Sequence, residues 1–372
     1  MDTHEFVATL ARDLVRIDSR SAISNLPIAD RIEAELGEFQ LERIDYKDAV
    51  GVNKCVLVAA RGSGGLAFCG HMDTVPDVGW GADPWSGQVD GDTLFGLGST
   101  DMKGPIASLI AAATALPASV PIALFITADE ETTKQGSRLL ARTSDLARSF
   151  APRAILIGEP TNMVPVRGHR SHIEFVAVAT GVQAHSSSGV GRNANWSLLP
   201  FMADMATIFD RLRTETALQD PTYDPPFSDF NPLIDNHGAA INITVPKATA
   251  RIRYRYSAAI DPAPIVDAVQ AAADRHGLTL TVLRGAPPPE LPAEHPLIAL
   301  ASGITATPAA TVPFGTDASE LQSMAPCLIL GPGDMAQAHT PNERVSLSAL
   351  TAAVPTFMQI AEDVASGSYS TS

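Results

Sequence analysis

A chain of 372 residues exceeds the usual single core of roughly 100–200 residues, so two domains are expected. Hydrophobic content of 45% and a mean hydropathy of +0.09 provide apolar surface for both, and the composition shows no mark of long disorder. The net charge of −15 argues against nucleic acid or anionic membrane as the partner, since each needs a basic face.

The cysteines are Cys55, Cys69 and Cys327. Their number is odd and no CxxC spacing occurs, which disfavours a disulfide framework and a thiolate zinc knuckle. Cys55 and Cys69 lie in apolar runs and read as core thiols. The first residues lack the basic and apolar stretches of a leader, and no run approaches the roughly 18 apolar residues that span a bilayer. The expectation is a soluble, cytoplasmic protein.

Residues 2–17 read as a helix, capped by Asp2 or Thr3, with Phe6, Leu10, Leu14 and Val15 as its apolar stripe. Pro27 to Gly37 reads as a second. Cys55 to Ala60 and Leu66 to Cys69 read as strands joined as in a hairpin by the Gly-rich turn 61–65. That turn lacks the Lys-Ser/Thr and the following helix of a phosphate loop. The second strand stops on Gly70 and delivers His71 and Asp73, which point the same way in an extended chain. A neutral imidazole is a common metal ligand, and a nearby carboxylate can fix its tautomer or orientation. Alone, such a pair is more often ordinary polar surface.

A long loop from Asp77 to Asp92 follows. Asp101 then stands just before a buried apolar helix, about Pro105 to Leu116, and on its own reads as an N-cap. Pro121 to Ala128 is a continuous apolar strand that ends in Asp129, Glu130 and Glu131. Three acids in a row crowd like charges unless a cation offsets them. Gly136 to Leu146 reads as a helix. Ala154 to Ile157 is another buried strand, ending on Glu159. Strands alternating with helices, with polar residues gathered at strand ends, describe an open α/β sheet whose sites lie at those ends.

Near Pro165 the pattern changes. Ile173 to Val178, Ala239 to Val245 and Ala250 to Tyr256 read as half-exposed strands, and Ala194 to Arg213 and Pro262 to His276 as helices. These make a smaller α+β domain. The expected division is residues 1–167 for the first part of a catalytic α/β domain, 168–285 for an inserted domain, and 286–372 for the second part. The last part holds a helix, the strand Cys327 to Leu330, a loop carrying His339, and a closing helix at 347–365.

His71, Asp101, Glu131, Glu159 and His339 thus fall at or after strand ends of one expected sheet. Five nitrogen and oxygen ligands suit two divalent ions such as Zn²⁺, with Asp101 as bridge. Glu130, beside a ligand but not itself one, can take a proton from a metal-activated water.

The runs GHMDTVP (70–76), GLGSTDMKG (96–104), TADEET (127–132), GEPT (158–161), QAHSS (183–187) and GPGDMAQAHTPNE (331–343) resemble the M20 metallopeptidases and deacylases. The likeness covers nearly the whole chain. It is greatest to acetylornithine deacetylases, and succinyl-diaminopimelate desuccinylases are also similar. The resemblance implies a zinc-peptidase-like catalytic domain, a mixed sheet flanked by helices, and an inserted dimerisation lid that makes a homodimer. It implies two divalent ions, Zn²⁺ with Co²⁺ or Mn²⁺ able to substitute. His71, Asp101 and Glu159 would hold one ion, and Asp101, Glu131 and His339 the other. Glu130 would be the general base and Asp73 the partner of His71. His185 would reach the partner subunit's site to stabilise an oxyanion. Taken alone, His185 is an ordinary loop histidine. Arg255, Gly315, Thr316 and Asn242 would bind substrate, with Arg253 an alternative to Arg255. The implied reaction is hydrolysis of an N-acyl-L-amino acid. A dipeptidase or carboxypeptidase, or a silent binding protein, is the alternative. Leu97 stands where relatives often carry Arg, and 169–172 and 183–185 also depart from the pattern.

Overall fold

Continuous apolar runs become strands buried on both faces. The structure, a computed structural model, describes residues 2–367. The chain divides into two units: residues up to Gly168, with Leu291–Ala310 and those from Thr316 on, and a second unit of His169–Glu290 with Thr311–Gly315.

The first unit is built on a mixed sheet. Its strand order is Gln40–Lys47, Asn53–Arg61, Ile122–Thr127, Leu66–His71, Ala154–Ile157, Cys327–Ile329, Val166–His169 and Ala310–Val312. Asn53–Arg61 and Leu66–His71, expected as a hairpin, are not neighbours. Ile122–Thr127 lies between them, antiparallel to the first and parallel to the second. Leu66–His71 and Ile122–Thr127 are buried at every position, so each belongs in the sheet interior with both edges paired.

Helix Lys103–Ala115 is apolar almost all round, and Thr3–Val15 and Leu347–Ser366 pack against it. Asp2 caps Thr3–Val15 by accepting from the Glu5 N–H. A Cβ at Gly70 would lie 2.8 Å from Ile106, and one at Gly158 would lie 2.8 Å from Leu109. Glycine just before His71 and just before Glu159 is what lets this helix approach the sheet. The helix expected over 136–146 breaks in two, Gln135–Thr143 and Asp145–Phe150. Ser144 causes the break, because its hydroxyl caps the second helix at Ala147 N–H. The stretch expected as loop contains Gln88–Asp90, which pairs with Thr93–Phe95 and through it with Arg344–Ser346.

The second unit is a four-stranded antiparallel sheet in the order Asp229–Asp235, Lys247–Tyr256, Ser171–Thr180, Thr279–Arg284. Helices Asn195–Thr214 and Ala263–His276 pack on its apolar face. The strand expected over 239–245 is irregular chain instead, and the strand is Asp229–Asp235. His237 and Gly238 take positive φ and turn the backbone there, and Asn242 and Pro246 break the apolar run that follows.

Among the described residues, no helix is long and apolar enough to cross a membrane. Phe68 is fully buried and its ring sits 5.8 Å from that of Phe357, joining the sheet to the closing helix. Phe68→Ala is expected to destabilise the first unit by about 3–5 kcal/mol, read as a lower urea midpoint.

Candidate metal centre

Leu66–His71, Ile122–Thr127, Ala154–Ile157 and Cys327–Ile329 run parallel, so their C-terminal ends share one edge of the sheet. Each hands over there to the polar residues singled out above. His71 ends its strand and is 1% exposed. Its Nδ1–H donates to the Asp73 carbonyl at 3.0 Å, which turns Nε2 to Asp101 Oδ1 at 2.9 Å. Glu159 Oε1 lies 3.8 Å from the same Nε2. On the other side, His339 Nε2 lies 3.4 Å from Asp101 Oδ2 and 3.1 Å from Glu131 Oε1. The two oxygens of Asp101 therefore face two different imidazoles. Potential ligand atoms of His71, Asp101 and Glu131 all fall within 4.8 Å of one another. His339 is half exposed while His71, Asp101 and Glu159 are buried, so the open side of the cluster is towards His339.

Asp101 does not cap the helix that follows. The N-cap is Met102, with no side-chain cap bond. Asp101 instead is held from behind, where Glu343 Oε1 accepts from the N–H groups of Thr100 and Asp101 at 2.9 and 3.0 Å. Asp73 takes its hydrogen bonds from Ser21 Oγ and from the backbone of Glu130 and Glu131. It ties the His71 strand end to the acids, and its carboxylate lies 3.7 Å from His71 Nδ1.

A model of peptidase family M20/M25/M40 matches residues 67–363. The chain belongs to this family. It is 31% identical to an acetylornithine deacetylase of Proteus mirabilis over 91% of this chain and 88% of that one. The fold is similar to the dipeptidase Dug1p of Saccharomyces cerevisiae, with a TM-score of 0.75 at 13% identity over 98% of each chain. It is also similar to a dinuclear metal-binding M20 peptidase of Bacillus subtilis, with a TM-score of 0.66 at 16% identity over 98% of this chain and 99% of that one. As an M20 chain it is a metal-dependent amidohydrolase.

The donor set fits a metal on its own chemistry. It offers imidazole and carboxylate with no thiol, as hard or borderline divalent ions require. The charges are also arranged for a cation. Burial pushes Glu131 up to about 7 and Glu159 well above the ordinary range, with the Asp101 charge adding to both. Burial also raises Asp101, but hydrogen bonds from His339 and His71 outweigh it and hold that carboxyl well below its usual range. Hydrogen bonds to Asp101 and Glu131 raise His339 to about 11. His71 is pulled down by burial yet ends well above its ordinary value, through Asp101 and the nearby charges of Glu159 and Asp73. The raised imidazoles and a bound divalent ion would offset the same carboxylate charge.

The remaining residues lie in two places. Thr316 is fully buried in the first unit, and its carbonyl accepts from Lys134 Nζ at 2.5 Å. Gly315 precedes it, at the end of the second unit. His185, Asn242 and Arg255 belong to the second unit. His185 is exposed, with Nδ1 2.8 Å from Ser187 Oγ, and Asn242 lies beside it through Ser186 N–H to Asn242 O at 2.9 Å. Arg255 pairs in register with His172 and Asp229. Arg253 lies 3.5 Å from Glu174, which Arg251 also engages at 2.5 Å.

Sequence reasoning missed Ser21, Glu343 and Lys134. Glu343 ends the last motif and was open to notice, whereas Ser21 and Lys134 have no signal beyond their position. Behind Glu130, Asp317 is 1% exposed and accepts from Thr127 Oγ1 at 2.5 Å. Burial, then the Glu130 charge, pushes Asp317 up to about 6. Since that lies above the unfolded value, the folded state binds the extra proton, and Asp317 costs stability as pH rises from about 4 to 6. Asp317→Asn lacks this cost. Its stability relative to wild type is expected to be more favourable at pH 7.5 than at pH 4.5, read by denaturant unfolding.

Proposed function

We propose that the chain hydrolyses the amide bond of N-acyl-L-amino acids, in the manner of an acetylornithine deacetylase, using two divalent ions. What carries this reading is Asp101, whose oxygens face His71 and His339 at 2.9 and 3.4 Å, with Glu130 next in sequence to Glu131. His71, Asp101 and Glu159 hold one ion, and Asp101, Glu131 and His339 the other, with Zn²⁺ the expected metal and Co²⁺ or Mn²⁺ as substitutes. When bound, such a pair of ions polarises the amide carbonyl and eases deprotonation of water. Glu130 takes the proton of the attacking water and returns it to the leaving amine. Asp73 keeps the His71 strand end and the acid run in register. Gly315, Thr316 and Arg255 take the substrate carboxylate. Asn242 also binds substrate, and His185 acts from the partner subunit of a homodimer on the developing oxyanion. The likeness to an acetylornithine deacetylase at 31% identity supports the acyl-amino-acid class over the peptides. The buried, unpaired cysteines and the absence of a membrane-crossing helix among the described residues suit a cytoplasmic enzyme.

The experiment is amine release by the zinc- or cobalt-loaded protein from a panel of N-acyl amino acids, N-acetylornithine included, alongside dipeptides. Turnover of the acyl amino acids is expected. Turnover of dipeptides alone moves the reading to peptidase, and no amide hydrolysis overturns it. Zinc titration should saturate at two ions per chain and raise the unfolding midpoint, and His339→Ala should lose one of the two. Glu130→Gln should keep both ions and lose about 10²- to 10⁴-fold in kcat. Mixed dimers of Glu130→Gln and His185→Ala chains should regain activity that neither parent has, since one site then has both residues. Mixed dimers as poor as their parents would remove the cross-subunit role.

A further inference from the structure

We propose that Lys134 is a positioning residue for Glu130, its ammonium clamping that carboxylate to the backbone at Thr316. The inference rests on the reading of Glu130 as the base.

Lys134 occupies the N-cap of helix Gln135–Thr143 with φ 54°, a left-handed conformation that glycine or asparagine adopts at lower cost. It makes no side-chain cap bond there. Its side chain instead runs back towards the acids. Nζ lies 3.0 Å from Glu130 Oε1, an ion pair rather than a directional hydrogen bond. The same Nζ donates to Thr316 O at 2.5 Å. The lysine side chain is 15% exposed and that of Glu130 is 9%, so solvent screens the pair weakly. The anchor is rigid, because Thr316 is fully buried and its hydroxyl accepts from Ala318 N–H.

Acids crowd Glu130 from more than one side. Asp317 is buried behind it and feels both Glu130 and Lys134, and Glu131 and Glu159 lie on the side of the metal centre. A carboxylate among carboxylates is pushed towards solvent. One ammonium fixed to the backbone holds it inward by one oxygen and leaves the other for the reacting proton. A general base displaced by even about 1 Å loses up to roughly 100-fold in rate, so orientation is the quantity at stake.

The test compares zinc-loaded wild type with Lys134→Met. Expected are unchanged zinc content and KM, a kcat lower by roughly 10- to 100-fold, and partial recovery in Lys134→Arg, which keeps a cation. In the Glu130→Gln background, Lys134→Met should cost nothing further, because the residue acts through Glu130. Crystal structures of both proteins should show Glu130 in one rotamer in wild type and displaced in the variant. An unchanged kcat, additive losses, or an undisturbed Glu130 rotamer overturns the proposal. If Lys134→Met does not fold, Lys134→Gln, which can still donate to Thr316, takes its place. If wild type cleaves no amide, the functional reading falls, while the Glu130 rotamer still decides the role of Lys134.

Discussion

Too many carboxylates meet in one buried place. Asp101, Glu130, Glu131 and Glu159 gather at the sheet edge, with Asp73, Asp317 and Glu343 around them, and each is largely removed from water. Such a cluster persists only when positive charge is fixed among it. His71, His339 and Lys134 lie within ion-pairing distance of these acids. Much of the first unit can be read as the means of holding these groups against their mutual repulsion.

Close packing supplies that means. Helix Lys103–Ala115 presses on the sheet where Gly70 and Gly158 offer no side chain, and the turn before it carries Asp101 to His71 and Glu159. Glu343 grips the backbone of this turn from the far end of the chain. Asp73 grips the acid run in the same way. Fixed backbone donors of this kind turn a flexible loop into a ligand platform, because the cost of ordering it is met during folding.

The second unit follows a different rule. One face of its antiparallel sheet is apolar and covered by two helices, and the other carries Arg251 and Arg253 against Glu174. Such a sheet can present charge without losing its core. His185 and Asn242 sit side by side on irregular chain of this unit, where residues can differ between relatives without disturbing the strands.

The sequence by itself determined a good deal. Apolar runs such as Ile122–Thr127 and Ala154–Ile157 announced buried strands, and acids placed directly after them announced a site at the strand ends. Those signals are local: periodicity and a short motif survive in any reading of the chain. The order of strands did not survive, because Ile122–Thr127 slides between two strands close in sequence, and pairing energy carries no sequence mark. The failed strand over 239–245 and the helix broken at Ser144 have the same origin, since a turn or a cap can outweigh apolar content. Which oxygen of Asp101 meets which imidazole, and that Lys134 and Ser21 stand behind Glu130 and Asp73, only the tertiary structure decided. Most of these contacts join residues 30 or more positions apart, the Lys134–Glu130 pair depends on where one side chain turns, and neither is written in the order of the letters.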